Sequence, residues 1–452
     1  MQDHSLPRST PAEQGVDATG IDAFIAAVAQ VDGVELHSLM VVRHGSVVAE
    51  RWWRPYAADT PHLLYSLSKS FTSTALGFAV TEGRVDLDAT VLSYFPQYDV
   101  QITDQRSRAT KVRHVASMAS GHGDDTIEEA YRRGQGDLLL GMLLIPPEHD
   151  PGTFFAYNQP CTYALSRIIC EVTGGTLTEY LQPRLYEPLG IGVHGWTTDF
   201  EGREIGFSGL HSSTEAIAKL GQVYLDGGRW AGKELLPESW VAEATRSHVV
   251  PDRDDPDWSQ GYGFQFWRSR HGYRGDGAYG QYMVILPEAD AVVAITSQSP
   301  DMQYVLDALW EHLLPALTSG GGPSGPWPHE TPILAGPAGE IGPSIADGSF
   351  RAGPDNAVPS LLSAELDGGS LILTDDGPEL RVKLGDAWTI SGPFATAATS
   401  DGGRLHVDVI FVETPHRLHV VLDQGTSQFE ARWETEPLSG GPLDWLRMPR
   451  TP

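Results

Sequence analysis

Ser66 and Lys69 stand three residues apart in Leu64-Tyr65-Ser66-Leu67-Ser68-Lys69-Ser70-Phe71, the stretch of the chain where reactive chemistry is most local. On a helix, positions i and i+3 share a face, so the Lys69 ammonium is expected beside the Ser66 hydroxyl. A serine in the first turn also points toward unpaired backbone N–H groups, which favour developing negative charge. Serine is a weak nucleophile until a base takes its proton, and a desolvated lysine is such a base. Leu67, Phe71, Ala75 and Phe78 continue with helical spacing, and Gly83 is expected to end the helix. The plainer reading is a capping serine followed by a surface lysine. The chain has only five lysines, and at average serine usage chance gives one Ser-x-x-Lys in roughly a third of such chains.

A serine–lysine pair also needs a proton relay to the leaving group, backbone donors for an oxyanion and a wall for the substrate. Pro151-Gly152-Thr153-Phe154-Phe155-Ala156-Tyr157-Asn158-Gln159 offers the relay. A tyrosine beside a cationic lysine is partly ionised or passes a proton between the serine and the leaving group. Against this, Tyr157 is one of fifteen tyrosines, and packing at a turn is the ordinary role of such a residue. Gly275-Asp276-Gly277-Ala278-Tyr279-Gly280-Gln281-Tyr282 leads into an apolar strand. Glycines there let another backbone approach, which suits a strand edge offering an N–H to a carbonyl, although a glycine-rich hairpin reads the same way.

The elements that must hold these residues follow from the periodicity. Ile21, Phe24, Ile25 and Val28 predict a helix from about Ile21 to Val31, capped by Asp17 or Thr19. Leu36 to Val42 and Val47 to Trp53 read as strands joined by a hairpin at Arg43-His44-Gly45-Ser46. Signals are mostly helical as far as Gly190. Ser213 to Leu225 reads as a helix, then Gly261 to Trp267, Gln281 to Leu286 and Ala291 to Ser297 as strands. Met302 to Leu314 closes the series as a helix, with Ser299 as cap and Pro300 in the first turn. One sheet assembled from both ends, with a helical lobe inserted, is the simplest packing, and a site between two lobes is common. Cys161 and Cys170 fall in one helix, on opposite faces and too far apart for a disulfide.

The 452 residues are too many for one core, and 40% apolar with 20% charged content describes a globular chain. A net charge of −28 argues against nucleic acid or an anionic membrane as partner. No run of 18 apolar residues occurs, and Met1 to Arg8 lacks a signal-peptide pattern, so a cytoplasmic location is expected. His114, His122, Asp124 and Asp125 lack a metal-ligand spacing, and Asp124-Asp125 reads better as a helix start. No metal or cofactor is expected. Trp258, Tyr262, Phe264, Phe266 and Trp267 read as sheet packing, with alternate members able to line an apolar wall.

Together, Ser-x-x-Lys at a helix start, Pro-Gly-Thr…Tyr about ninety residues on, and a glycine-flanked strand ending Tyr-Met-Val-Ile-Leu-Pro-Glu resemble the serine β-lactamase and penicillin-binding protein superfamily. The likeness extends in particular to its class C β-lactamase-like esterases and the 6-aminohexanoate-dimer hydrolases. Arg113 to Gly121, Tyr186 to Gly190 and Gly209 to Ser213 support it, and it spans roughly residues 5 to 315. The resemblance implies that Ser66 is the acylated nucleophile, Lys69 its base and Tyr157 the proton shuttle. It also implies an oxyanion hole from the N–H groups of Ser66 and Ala278. Tyr279 and Gln281, with Gln159 or Asn158, are assigned to substrate positioning. Two departures stand out. Tyr157-Asn158-Gln159 replaces Tyr-x-Asn, which leaves either amide for the substrate contact. Gly275-Asp276-Gly277 replaces Lys-Thr-Gly, so unless Arg274 or His271 compensates, the substrate lacks an anionic group there.

The fold class expected is α+β: a β-lactamase-like domain over 1–317 with a helical lobe at about 72–205, then a Gly/Pro-rich linker at 318–348. Short strand-like runs from 349 to 452 predict a C-terminal antiparallel β-sandwich or barrel. The function expected is hydrolysis of a small-molecule ester or amide, with a homodimer as the candidate assembly. A β-lactamase or D-alanyl-D-alanine carboxypeptidase is the alternative. A slowly acylating or non-catalytic binding protein, its function carried by the C-terminal part, is the third.

Overall fold

A computed structural model describes residues 4–318, 327, 331–337, 345–385 and 387–449. The first sheet runs in the order Ser46–Trp52, Glu35–Arg43, Ala291–Gln298, Gln281–Leu286, Tyr273–Gly277, Trp267–Arg268, all neighbours antiparallel. It is therefore built from both ends of the first 318 residues. Strand side chains alternate faces. Met283 meets the helix Thr214–Leu225 at Gly221, while the Tyr282 hydroxyl reaches the Met302 carbonyl at 2.7 Å on the other face. With both faces covered, Ala291–Gln298 reads as an unbroken buried run.

The first helix spans Ala18–Val28 and is capped by Asp17, whose carboxylate accepts from the Thr19 N–H at 2.9 Å. The last begins at Met302, and its cap is Asp301, not Ser299: the Asp301 side chain takes the Tyr304 N–H, whereas Ser299 Oγ donates to the Asp301 carbonyl. The strand expected over Gly261 to Trp267 is reduced to Trp267–Arg268. Gln265 takes a φ of +64° there, and its amide bonds the Ala116 carbonyl at 2.8 Å and the Thr162 hydroxyl at 2.5 Å. Those bonds fold the segment back, and the aromatic residues are buried without forming a ladder.

The nucleophile segment lies between the sheet and a helical lobe. Helix Ser68–Thr81 is buried nearly all round, so its polar residues need internal partners. Ser68 Oγ takes the Leu210 N–H, and Ser70, Thr72 and Ser73 donate to the carbonyls of Gln265, Gly206 and Phe264. The lobe is organised on helix Gln159–Thr173, which carries both cysteines as free thiols.

Beyond residue 347 nine strands form a nearly closed barrel-like sheet. The order is Leu380–Lys383, Ser370–Thr374, Ser363–Asp367, Gly348–Ala352, Gln428–Trp433, Arg417–Asp423, Arg404–Phe411, Phe394–Asp401, Thr389–Ser391. The two edges meet where the Lys383 N–H donates to Ser391 Oγ and the Ala398 N–H to the Gly385 carbonyl. Leu371, Val382, Val409, Phe411, Leu418, Val420, Leu422 and Phe429 fill the interior. Residues 319–326, 328–330 and 338–344 of the expected linker lie outside the described residues. Within it, the Arg54 N–H donates to the Pro332 carbonyl and the Leu334 N–H to the Arg54 carbonyl, so 331–337 is docked on the body. The barrel meets the first part of the chain through Leu63 N–H to the Glu413 carbonyl at 2.8 Å, Tyr56 hydroxyl to the Thr414 carbonyl at 3.0 Å, and Arg417 to Glu35 at 2.9 Å. Among the described residues no helix is long and apolar enough to cross a membrane.

Candidate active site

Ser66 sits in a 3₁₀ turn, Tyr65–Leu67, that runs directly into helix Ser68–Thr81. The α-helix proper therefore begins two residues after Ser66, which is left half-buried and reachable. Lys69, one turn in, is fully buried. Its Nζ donates to Ser66 Oγ at 3.0 Å, to Gln159 Oε1 at 2.7 Å and to the Phe207 carbonyl at 2.8 Å. All three partners are neutral. Burial brings the Lys69 ammonium down from 10.5 to about 7, with the more distant Asp125 and Asp276 carboxylates pulling the other way. A lysine poised there is half neutral at neutral pH, which is what a base requires.

Tyr157 packs against the same lysine. Its ring stacks on Trp267 at 5.5 Å, and Lys69 Nζ lies 4.8 Å from the ring centre. The partly ionised tyrosine expected beside a cation is corrected: burial pushes the phenol well above its ordinary value. A phenol that stays protonated is suited to passing a proton and not to storing a negative charge.

The geometry separates the two amides, Asn158 and Gln159. Asn158 is buried and turned into the lobe, where its Oδ1 accepts from the Thr126 N–H and hydroxyl at 3.0 Å each. Gln159 faces Lys69, and the lysine bond to Oε1 leaves its amide nitrogen turned from the cation. Asp125 caps the start of both lobe segments, accepting from the Ile127 and Gln159 N–H groups at 3.2 and 3.1 Å. Among the described residues no group of three or more His, Cys, Asp or Glu is arranged to hold a metal.

Strand Tyr273–Gly277 packs on the nucleophile turn so closely that side chains are excluded. A Cβ at Gly275 would lie 2.4 Å from Ser70 Oγ, and one at Gly277 would lie 2.1 Å from the Leu64 carbonyl oxygen and 3.0 Å from the Leu67 nitrogen. That approach seats the end of the strand, which leads directly to half-buried Ala278, on the turn that holds Ser66. It also explains the missing cation, because no long side chain fits at 275. Neither substitute proposed from the sequence supplies it. Arg274 is buried and bound to Asp276 at 2.9 Å and the Asp257 carbonyl at 2.8 Å, and exposed His271 packs 5.0 Å from the Trp310 ring at the far end of the strand. Gln281 is also corrected: it is fully buried, and its amide donates to the Ala278 carbonyl at 3.0 Å and the Ser297 carbonyl at 2.7 Å, so it holds the turn and does not face a substrate. Tyr279 points to the C-terminal barrel, its hydroxyl donating to the Glu436 carbonyl.

Three contributors were missed in the sequence: the Phe207 carbonyl, the Trp267 platform and the barrel. The first is a backbone atom with no side-chain signature. Trp267 was visible only as one aromatic among five.

The β-lactamase family profile matches residues 21–314, and the chain belongs to that family. The 6-aminohexanoate-dimer hydrolase of Paenarthrobacter ureafaciens is 26% identical over 319 residues, 65% of this chain and 80% of that protein. Among solved structures, a hydrolase with promiscuous acyltransferase activity, EstCE1, superposes with a TM-score of 0.55 at 17% identity, covering 65% of this chain and 98% of its own. An octameric penicillin-binding protein homologue from Pyrococcus abyssi covers 89% of this chain and 97% of its own, with a TM-score of 0.50 at 17% identity. The last likeness extends the shared fold through the barrel.

Proposed function

We propose that this protein hydrolyses a small carboxylic ester or amide through an acyl-enzyme on Ser66. The observation that carries the reading is a buried lysine, brought down to about 7, whose Nζ lies 3.0 Å from a reachable serine hydroxyl. Neutral Lys69 takes the Ser66 proton as Oγ attacks the carbonyl. The oxyanion is received by the Ser66 and Ala278 N–H groups, donors held in place before the reaction begins. The proton leaves through the Tyr157 hydroxyl to the departing alcohol or amine, and water reverses the sequence to free the acid. Gln159 turns its amide nitrogen toward the substrate's polar group. The resemblance to an amide hydrolase at 26% identity supports this class.

A β-lactamase or carboxypeptidase reading is weaker, because both classes hold a substrate carboxylate and Arg274 is committed to Asp276 and the Asp257 carbonyl. A fluorophosphonate probe and matched p-nitrophenyl ester and anilide panels test the proposal. The parent is expected to be labelled and to turn over, and Ser66→Ala to lose both, with kcat down by about 10⁴-fold or more. Equal labelling of Ser66→Ala would sink the assignment. Nitrocefin turnover faster than any ester would promote the lactamase, and a persistent acyl adduct without turnover the binding protein.

A further inference from the structure

The two proposed oxyanion donors are each flanked by a tyrosine in an uncommon backbone state. Tyr65, just before Ser66, has a φ of +47°, and Tyr279, just after Ala278, has a φ of +66°. Non-glycine residues persist there only when their surroundings over-determine them. The Ser66 N–H lies in the rigid peptide plane that begins at the Tyr65 Cα, and the plane leaving Ala278 ends at the Tyr279 Cα. Turning Tyr65 therefore re-aims the Ser66 donor directly, while the Ala278 N–H lies in the preceding plane, from the Gly277 Cα, and Tyr279 bears on it by anchoring the Cα that follows.

Both tyrosines are held by the barrel. The Tyr65 hydroxyl meets His416 Nε2 at 2.5 Å, and Tyr279 donates to the Glu436 carbonyl. His416 Nδ1 lies 2.9 Å from the Thr435 carbonyl, an acceptor only, so its proton sits on Nδ1 and Nε2 accepts from Tyr65. The three rings close on one another, with centroids 5.4 Å apart for Tyr65–Tyr279, 5.9 Å for Tyr65–His416 and 5.4 Å for Tyr279–His416. His416 is fully buried.

We infer that the C-terminal barrel is part of the catalytic apparatus, with His416 and the Glu436 carbonyl acting through Tyr65 and Tyr279 to hold the two oxyanion donors convergent. His416 is a positioning residue on this reading, and the inference rests on Ser66 being the nucleophile. Removing an oxyanion donor outright costs about 10²–10³ in kcat, and a misaimed donor should cost less.

The experiment is steady-state kinetics of full-length variants on a p-nitrophenyl ester, with parallel fluorophosphonate labelling of Ser66. Tyr65→Phe keeps the ring and removes the hydroxyl, and is expected to lower kcat by about 10- to 100-fold with KM within about threefold. His416→Phe should match it. His416→Gln, whose amide can both accept from Tyr65 and donate to Thr435, should stay within about threefold of the parent. A Tyr65→Phe variant with kcat within twofold of the parent overturns the inference, even if His416→Phe fails to fold. So does a His416→Gln variant as slow as Tyr65→Phe. A parent whose Ser66 takes no label removes the functional reading itself, and this inference with it.

Discussion

Two cations are buried in the two elements that pack at the nucleophile turn, helix Ser68–Thr81 and strand Tyr273–Gly277, and they have opposite surroundings. Lys69 is 1% exposed and Arg274 is 0% exposed, so both have lost their water. Lys69 is left with a hydroxyl, an amide oxygen and a backbone carbonyl. Dipoles compensate a buried charge only in part, and the proton is loosened. Arg274 has the Asp276 carboxylate at 2.9 Å and sits 4.4 Å from the Trp258 ring centre. Its charge is matched in place, and it holds strand Tyr273–Gly277 against the segment that carries Asp257 and Ser269. Equal burial thus leaves one cation with a loosened proton and the other fixed in an ion pair, and the difference lies in the partners.

Changing Lys69 should give the largest effect. Lys69→Met is expected to lower kcat by about 10²–10⁴-fold, the usual worth of a general base. The same variant should be more stable than the parent at pH 6, by roughly 1–3 kcal/mol in urea unfolding, because an uncompensated buried charge is gone. The advantage should shrink with pH. Between about 7 in the folded protein and about 10.4 in the unfolded chain, the unfolded state binds a proton that the folded state has released. Raising the pH through that window therefore stabilises the parent. An advantage that grew with pH would contradict the neutral environment described for Lys69.

Arg274→Met should do the reverse. It leaves Asp276 buried without its partner, and urea unfolding should show a loss of about 3–5 kcal/mol. The double variant Arg274→Met/Asp276→Leu should recover most of that. A single variant as stable as the parent would show that the pair is not the anchor of the strand. The smallest change expected is at Gln159, where Gln159→Leu removes one of three Lys69 partners and should cost about tenfold in kcat/KM. No change there would take Gln159 out of the lysine's environment.

The local half of this site is legible in the sequence. Ser66 and Lys69 are three residues apart, and Tyr157 and Gln159 lie in one turn, so short-range spacing places each pair. Asn158 and Gln159 could not be told apart by spacing, because one residue of backbone rotation decides which amide faces the lysine. Gln281 was assigned to substrate positioning with Tyr279, but its place at the start of strand Gln281–Leu286 turns it inward onto the Ala278 and Ser297 carbonyls. The strand expected over Gly261 to Trp267 fails for a similar reason: Gln265 finds partners in two lobe segments that no local pattern announces. Least legible is the barrel's share. Tyr65 and His416 are 351 residues apart, and neither carries a motif that points to the other.

The most direct test is the pH dependence of Ser66 acylation by a neutral p-nitrophenyl ester, followed as burst rate from pH 4 to pH 10. The rate should rise with pH about a midpoint near 7 and then level, as Lys69 loses its proton. A rate that stayed flat down to pH 4, or that kept rising toward pH 10, would contradict a buried lysine as the base.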